Sequence, residues 1–93
     1  MLPTPLTPDQ FQRITRALSD PNRYEMLRQI FLCDESTCGS VASTVPITAA
    51  TASHHLRELE TAELVQVTKD GRFRRLTPRR DVWQAYLAEL HQL

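Results

Sequence analysis

Residues 44–59 read Thr44-Val45-Pro46-Ile47-Thr48-Ala49-Ala50-Thr51-Ala52-Ser53-His54-His55-Leu56-Arg57-Glu58-Leu59. After four intervening residues comes Leu64-Val65-Gln66-Val67-Thr68-Lys69-Asp70-Gly71-Arg72-Phe73-Arg74-Arg75-Leu76. Pro46 closes a short helix over about 39–45 that packs Val41 and Val45, because the residue before a proline is pushed out of the helical region. Thr48 then caps a longer helix reaching about Ala62. Ala49, Ala52, Leu56 and Leu59 form its buried stripe, and Ala50, Thr51, His54, Glu58 and Thr61 point away from it. The period next changes to two. Leu64–Thr68 and Arg72–Leu76 read as short strands around Lys69-Asp70-Gly71, and Asp-Gly is a strong hairpin signal because both residues tolerate positive φ.

Outward from this stretch, Thr7-Pro8, Asp20-Pro21 and Thr77-Pro78 each set a capping oxygen before a proline, which suits the first helical position. Gln10, three residues after Thr7, completes a capping-box pattern. The first helix carries Phe11, Ile14 and Leu18 at helical spacing. The second, from Pro21 to about Leu32, carries Tyr24, Leu27 and Phe31 on one face with Ile30 beside it. Asp34, Glu35, Ser36 and Thr37 read as a polar connection. A last helix from Pro78 shows Val82, Trp83, Tyr86, Leu87 and Leu90. A short helix, a tight turn, a longer helix and then a hairpin predict a mainly α (α+β) chain, a winged helix-turn-helix. It has four helices, a two-stranded β-wing and a C-terminal dimerisation helix. Residues 1–93 form one domain, with the helix-turn-helix at about 39–62, the wing at about 64–77 and dimer helices at about 8–18 and 78–93.

Composition limits the alternatives. A chain of 93 residues has no room for a second core, and 41% apolar with 24% charged side chains is ordinary globular usage. Three Phe, two Tyr and one Trp make a thin core, which favours pairing with a second copy. No apolar run approaches the roughly 18 residues of a membrane span. Met1 is followed by prolines rather than a basic-then-apolar leader, and two cysteines are too few for a secreted scaffold, so the expected location is the cytoplasm.

Eleven cations balance eleven anions, yet six of those cations (Lys69, Arg72, Arg74, Arg75, Arg79, Arg80) fall between Leu64 and Arg80 against the single anion Asp70. Edge strands are often blunted with charge, but that role calls for mixed signs or lysines. A single-sign arginine run beside a helix-turn-helix fits a wing that grips phosphate. Strand alternation sets Arg72 and Arg74 on one face, with Phe73 and Arg75 on the other. The first two turns of the longer helix offer Ala50, Thr51, Ser53 and His54 without a carboxylate, so the face can approach base edges closely. Glu58, Glu60 and Glu63 are confined to its far half.

The chain resembles the ArsR/SmtB family of bacterial metal-sensing and related repressors. The resemblance runs from Ala17-Leu18-Ser19-Asp20-Pro21-Asn22-Arg23 through Ile47–Leu59 to Leu64-Val65 and the Lys69-Asp70-Gly71-Arg72 wing. It implies a cytosolic homodimer, formed largely by the first and last helices, on a two-fold operator in double-stranded DNA. It also implies that Thr48, Ala49, Thr51, Ser53, His54 and the wing residue Arg72 lie on or near DNA. With Ala50, Arg57, Lys69 and Arg74 these make up the candidate interface, and His55 adjoins it. In two places the chain departs from the family pattern: Ala49 stands where a Gln is usual, and Glu63 where a Gly is usual before the first strand.

Sensing sites of such repressors find little match. Cys38, with Cys33 five residues earlier, is the nearest counterpart of a Cys-x-Cys pair, and the two make a candidate thiol sensor. The first His of an Asp-x-His metal motif is absent after Asp81, and His91 reads as a surface residue. No metal site and no cofactor are expected. The chain has neither a Gly-rich phosphate loop nor a clustered acid/base pair, which argues against an enzyme. Two alternatives stand beside a DNA-binding repressor. One is a winged-helix module that binds protein; the other is a thiol- or metalloid-responsive repressor using Cys33 and Cys38.

Overall fold

The computed structural model describes residues 5–33 and 36–93, with Cys38 through its backbone alone. Its elements run α1 (Pro8–Ala17), α2 (Pro21–Leu32), β1 (Ser36–Thr37), α3 (Cys38–Ala42) and α4 (Ala49–Thr61), then β2 (Val65–Asp70), β3 (Phe73–Pro78) and α5 (Arg80–His91). No helix among the described residues is long and apolar enough to cross a membrane.

Helices begin where short polar side chains meet orphan amides. Thr7 Oγ1 accepts from the Gln10 amide at 3.1 Å, Asp20 Oδ1 from Arg23 at 2.9 Å and Thr48 Oγ1 from Thr51 at 3.1 Å. The Thr77-Pro78 start differs. Both residues finish β3, where Pro78 pairs with Val65. The Arg79 amide then donates to the Leu64 carbonyl at 2.8 Å, which holds the chain extended until Arg80. Asp81 lies in the first turn of α5, where a carboxylate complements the helix dipole.

The wing gains a strand. Ser36 and Thr37, expected in a connection, pair with Leu76 and Arg75, giving a three-stranded antiparallel sheet in the order β1-β3-β2. Two residues are too short to show a period of two. Thr37 also starts α3, exchanging hydrogen bonds with Ser40 in a reciprocal box. The hairpin turn is Gly71-Arg72 rather than Asp70-Gly71, because Asp70 already pairs with Phe73. Gly71 takes φ +61°, the left-handed value that a two-residue turn of this hand needs at its first position.

Ile14, Met26, Ile30, Leu59, Leu64 and Leu76 are fully buried and come from α1, α2, α4, β3 and the link before β2. Each contributes about 1.5–3 kcal/mol relative to exposure. These contacts lock α4 against both the helical layer and the wing. The α2 face is rotated from expectation: Arg23, Met26, Leu27 and Ile30 are inside, and Tyr24 is 48% exposed. In α4 the buried stripe is Ala52, His55, Leu56 and Leu59, and Ala49 is exposed. That set follows the i, i+3, i+4, i+7 spacing more closely than one beginning at Ala49.

The aromatics of three helices form a ladder. Phe11 lies 4.9 Å from Tyr86, Tyr86 lies 5.8 Å from Trp83, and Trp83 lies 5.9 Å from Phe31, between ring centroids. The Tyr86 hydroxyl shares a 2.9 Å hydrogen bond with Thr15 Oγ1. Tyr86 is buried and Trp83 half-buried, so the apolar surface left on the last helix is Leu87 and Leu90.

α4 ends in a two-bond C-cap. The Leu64 amide reaches the Leu59 carbonyl at 3.1 Å and the Glu63 amide reaches Glu60 at 2.9 Å. This arrangement needs a left-handed residue between them, and Glu63 supplies it at φ 63°. The position usually filled by Gly is therefore built the same way with a side chain in place.

Candidate nucleic-acid interface

The turn between α3 and α4 presents the first two turns of α4 to solvent. Thr48, Ala49, Ala50, Thr51, Ser53, His54 and Arg57 are all exposed. The Thr48 hydroxyl donates to Thr51 Oγ1 at 2.9 Å, which leaves the Thr51 hydroxyl proton free to point outward. The face is polar and small at its N-terminal end.

His55 does not adjoin it. Its ring is 4% exposed, and its Nδ1 accepts from Arg23 Nε at 3.1 Å. Arginine only donates, so the imidazole proton sits on Nε2, which lies 3.5 Å from Asp20 Oδ1. Burial pushes the His55 pKa below its ordinary value; Asp20 opposes that, and the Arg23 and His54 charges add to it. Asp20 is held below the usual carboxylate range first by the Arg23 amide. The Asp20, Arg23 and His55 cluster thus pins the start of α2 to the middle of α4. Its sequence signal is position 55 falling between Ala52 and Leu59 at helical spacing, together with an arginine inside α2.

The wing sorts its cations by face. In β2, Val65 is buried and Val67 half-buried; in β3, Leu76 and Pro78 are buried, so this face is turned to the core. Lys69 and Arg74 continue it and pair directly across the strands. Arg74 joins Ser53, Arg57 and Glu60 around a small cleft of about 60 Å³ between α4 and the sheet. Arg72 stands in the turn. Arg75 lies on the opposite face, ion-paired to Asp70. Arg79 makes two 3.1 Å hydrogen bonds to Asp81, which hold that carboxyl below its usual range. Arg80 sits 5.3 Å over the Phe31 ring and donates to the Phe31 carbonyl. Among the described residues, Arg57, Lys69, Arg72 and Arg74 have no ion-pair partner.

Residues 18–68 match the family model of a helix-turn-helix domain. An uncharacterized HTH-type transcriptional regulator of Bacillus subtilis (strain 168), YceK, is 36% identical over 76 residues, which is 81% of this chain and 76% of that protein. The chain belongs to the helix-turn-helix transcriptional regulators. Its fold is similar to that of an ArsR family transcriptional regulator, RHA00566, at TM-score 0.83 and 24% identity, over 96% of this chain and 91% of that one. It is also similar to the homodimeric winged helix-turn-helix DNA-binding domain Mb0332 of Mycobacterium bovis, at TM-score 0.74 and 23% identity, over 90% and 79%.

The sensing positions expected from the sequence are sparse among the described residues. No group of three or more His, Cys, Asp or Glu stands ready to hold a metal ion. Cys33 is exposed at the end of α2, and the Cys38 side chain lies outside the described residues, as does any pairing of the two. Asp81 is engaged by Arg79, and His91 is exposed in the last turn of α5.

Proposed function

We propose that this regulator is a cytoplasmic, dimeric repressor of the ArsR type that binds a two-fold operator in double-stranded DNA. α4 enters the major groove with Thr51 and His54 deepest and Ala49 and Ala50 close to base methyls. Thr48, Ser53 and Arg57 flank them toward the backbone, and Lys69, Arg72 and Arg74 hold phosphates. The observation that carries this reading is the division of wing cations. Arg75 and Arg79 pair with carboxylates and Arg80 packs on Phe31, whereas Arg74 shares a cleft with Ser53 and Arg57 of α4 and pairs across the strands with Lys69. Dimerisation is supported by Leu87 and Leu90, 38% and 39% exposed on α5. The Mb0332 domain of the same fold is described as homodimeric.

Selection from a random duplex library tests this reading. The chain should enrich a palindrome whose half-sites lie about one helical turn, or a multiple of it, apart. Thr51→Ala with His54→Ala should flatten the preference by roughly 1–3 kcal/mol per lost base contact while sparing non-specific affinity. No enrichment by the wild type, or the same preference in the double variant, would overturn it.

A further inference from the structure

His55 is the polar member of the buried stripe of α4, set among Ala52, Leu56 and Leu59. It follows His54 directly and stands about one turn after Thr51, so a displacement of its ring displaces the exposed face of the same helix. α2 holds that ring from two sides. The buried Arg23 donates Nε–H to Nδ1 at 3.1 Å. Asp20 Oδ1 lies 3.5 Å from Nε2 while it also accepts the Arg23 amide at 2.9 Å. These contacts fit one protonation state only. Arginine cannot accept, so the Arg23 bond exists only while Nδ1 keeps its lone pair. A protonated ring would set N–H against N–H inside the fold and a second positive charge beside the guanidinium. It could then be satisfied only on the Asp20 side. The charged groups that face His55 are Asp20 and Arg23 from α2 and His54 from its own helix. Burial first, then Arg23 and His54, oppose its protonation, and Asp20 favours it.

We propose that the Asp20, Arg23 and His55 cluster is an acid-sensitive latch: with neutral His55 it holds α4 in its operator-binding pose, and protonation of His55 breaks the Arg23 bond, shifts α4 and releases the operator. This rests on the DNA-binding reading and adds a regulating variable to it. By linkage, the DNA-bound form holds fewer protons than the free form, so affinity falls as pH drops through the His55 pKa of the free chain, below its ordinary value of about 6.5. The sign is diagnostic. Acid otherwise adds positive charge, at the exposed His54 and His91 among others, and positive charge by itself tightens binding to a polyanion.

The test uses the full chain and one duplex selected from a random library by the wild type at about pH 7.5. Affinity is measured from there down to about pH 5, with circular dichroism on the same samples to report folding. Wild type should bind roughly tenfold more weakly at the acid end while still folded. His55→Gln keeps an acceptor for Arg23 and cannot be protonated, so its affinity should hold or tighten. Asp20→Asn keeps a capping oxygen and removes the charge that favours the protonated ring, so the fall should move to lower pH. A merely structural role for Asp20 would instead lower affinity by the same factor at every pH. If His55→Gln does not fold, the direction of the Asp20→Asn shift decides. His91→Gln should keep the fall; its loss there would assign the effect to α5 and overturn the latch. Failure to select any duplex overturns the DNA-binding reading and the latch with it. Selection followed by wild-type affinity that holds or tightens toward pH 5, by a fall unchanged in His55→Gln, or by a fall that tracks loss of the helical signal overturns the latch alone.

Discussion

His54 and His55 are adjacent on α4 and meet opposite surroundings: one is exposed beside Thr51, the other is closed between Arg23 and Asp20. A buried neutral histidine with a lowered pKa favours the folded state fully above its unfolded value of about 6.5. That contribution is lost as pH falls below this value through the folded-state pKa, because protonation would set a donor against the Arg23 Nε donor. The urea midpoint should therefore drop between about pH 7.5 and about pH 5.5, and His55→Gln should shrink that drop. An equal drop in both proteins would mean the cluster has no part in it. Glu63 offers a change of opposite sign. A left-handed non-glycine residue carries a cost of about 1–2 kcal/mol, so Glu63→Gly should raise the urea midpoint by about 1 kcal/mol of stability. Both sites were half legible in the sequence. Glu63 stands out against the usual Gly, but its backbone angle does not. His55 reads as an interface neighbour until the phase of α4 is fixed by packing.

At the scale of elements, the helix starts at Thr7, Asp20 and Thr48 were readable because each is a local capping event, complete within three residues. The start of α5 was not, since the Leu64 carbonyl that holds Arg79 comes from a distant part of the chain. β1 escaped for the same reason: two residues become a strand only through Leu76 and Arg75. The wing itself was plain from its period and its glycine, while the placing of its cations needed the register. That register sets a contrast for mutagenesis. Arg74→Ala on the α4 side should reduce the salt dependence of duplex affinity, by roughly one unit for each phosphate contact removed. Arg75→Ala, on the far face with Asp70, should leave the slope near wild type and cost under about 1 kcal/mol of stability, as exposed ion pairs do. Reversed effects would place the outer face of the wing on the DNA.

As a whole, the molecule is 39 × 25 × 21 Å, with Arg74 of the wing beside Ser53 and Arg57 of α4 and the apolar residues Leu87 and Leu90 exposed on α5. Trp83 and Tyr86 of the last helix serve the chain's own ladder, so only the narrow apolar strip of Leu87 and Leu90 remains on that helix for a partner. A two-fold dimer brings two copies of every wing cation to the duplex. Lys69, Arg72 and Arg74 from both copies then predict a slope of log affinity against log salt of roughly −5. Because each substitution is present twice, Arg72→Ala should make that slope shallower by roughly two units. The salt titration of wild type and Arg72→Ala on one selected duplex reads dimerisation, the wing and DNA binding together. The predicted result is a slope near −5 that falls to about −3; a wild-type slope shallower than about −1, or one unmoved by Arg72→Ala, would contradict the account.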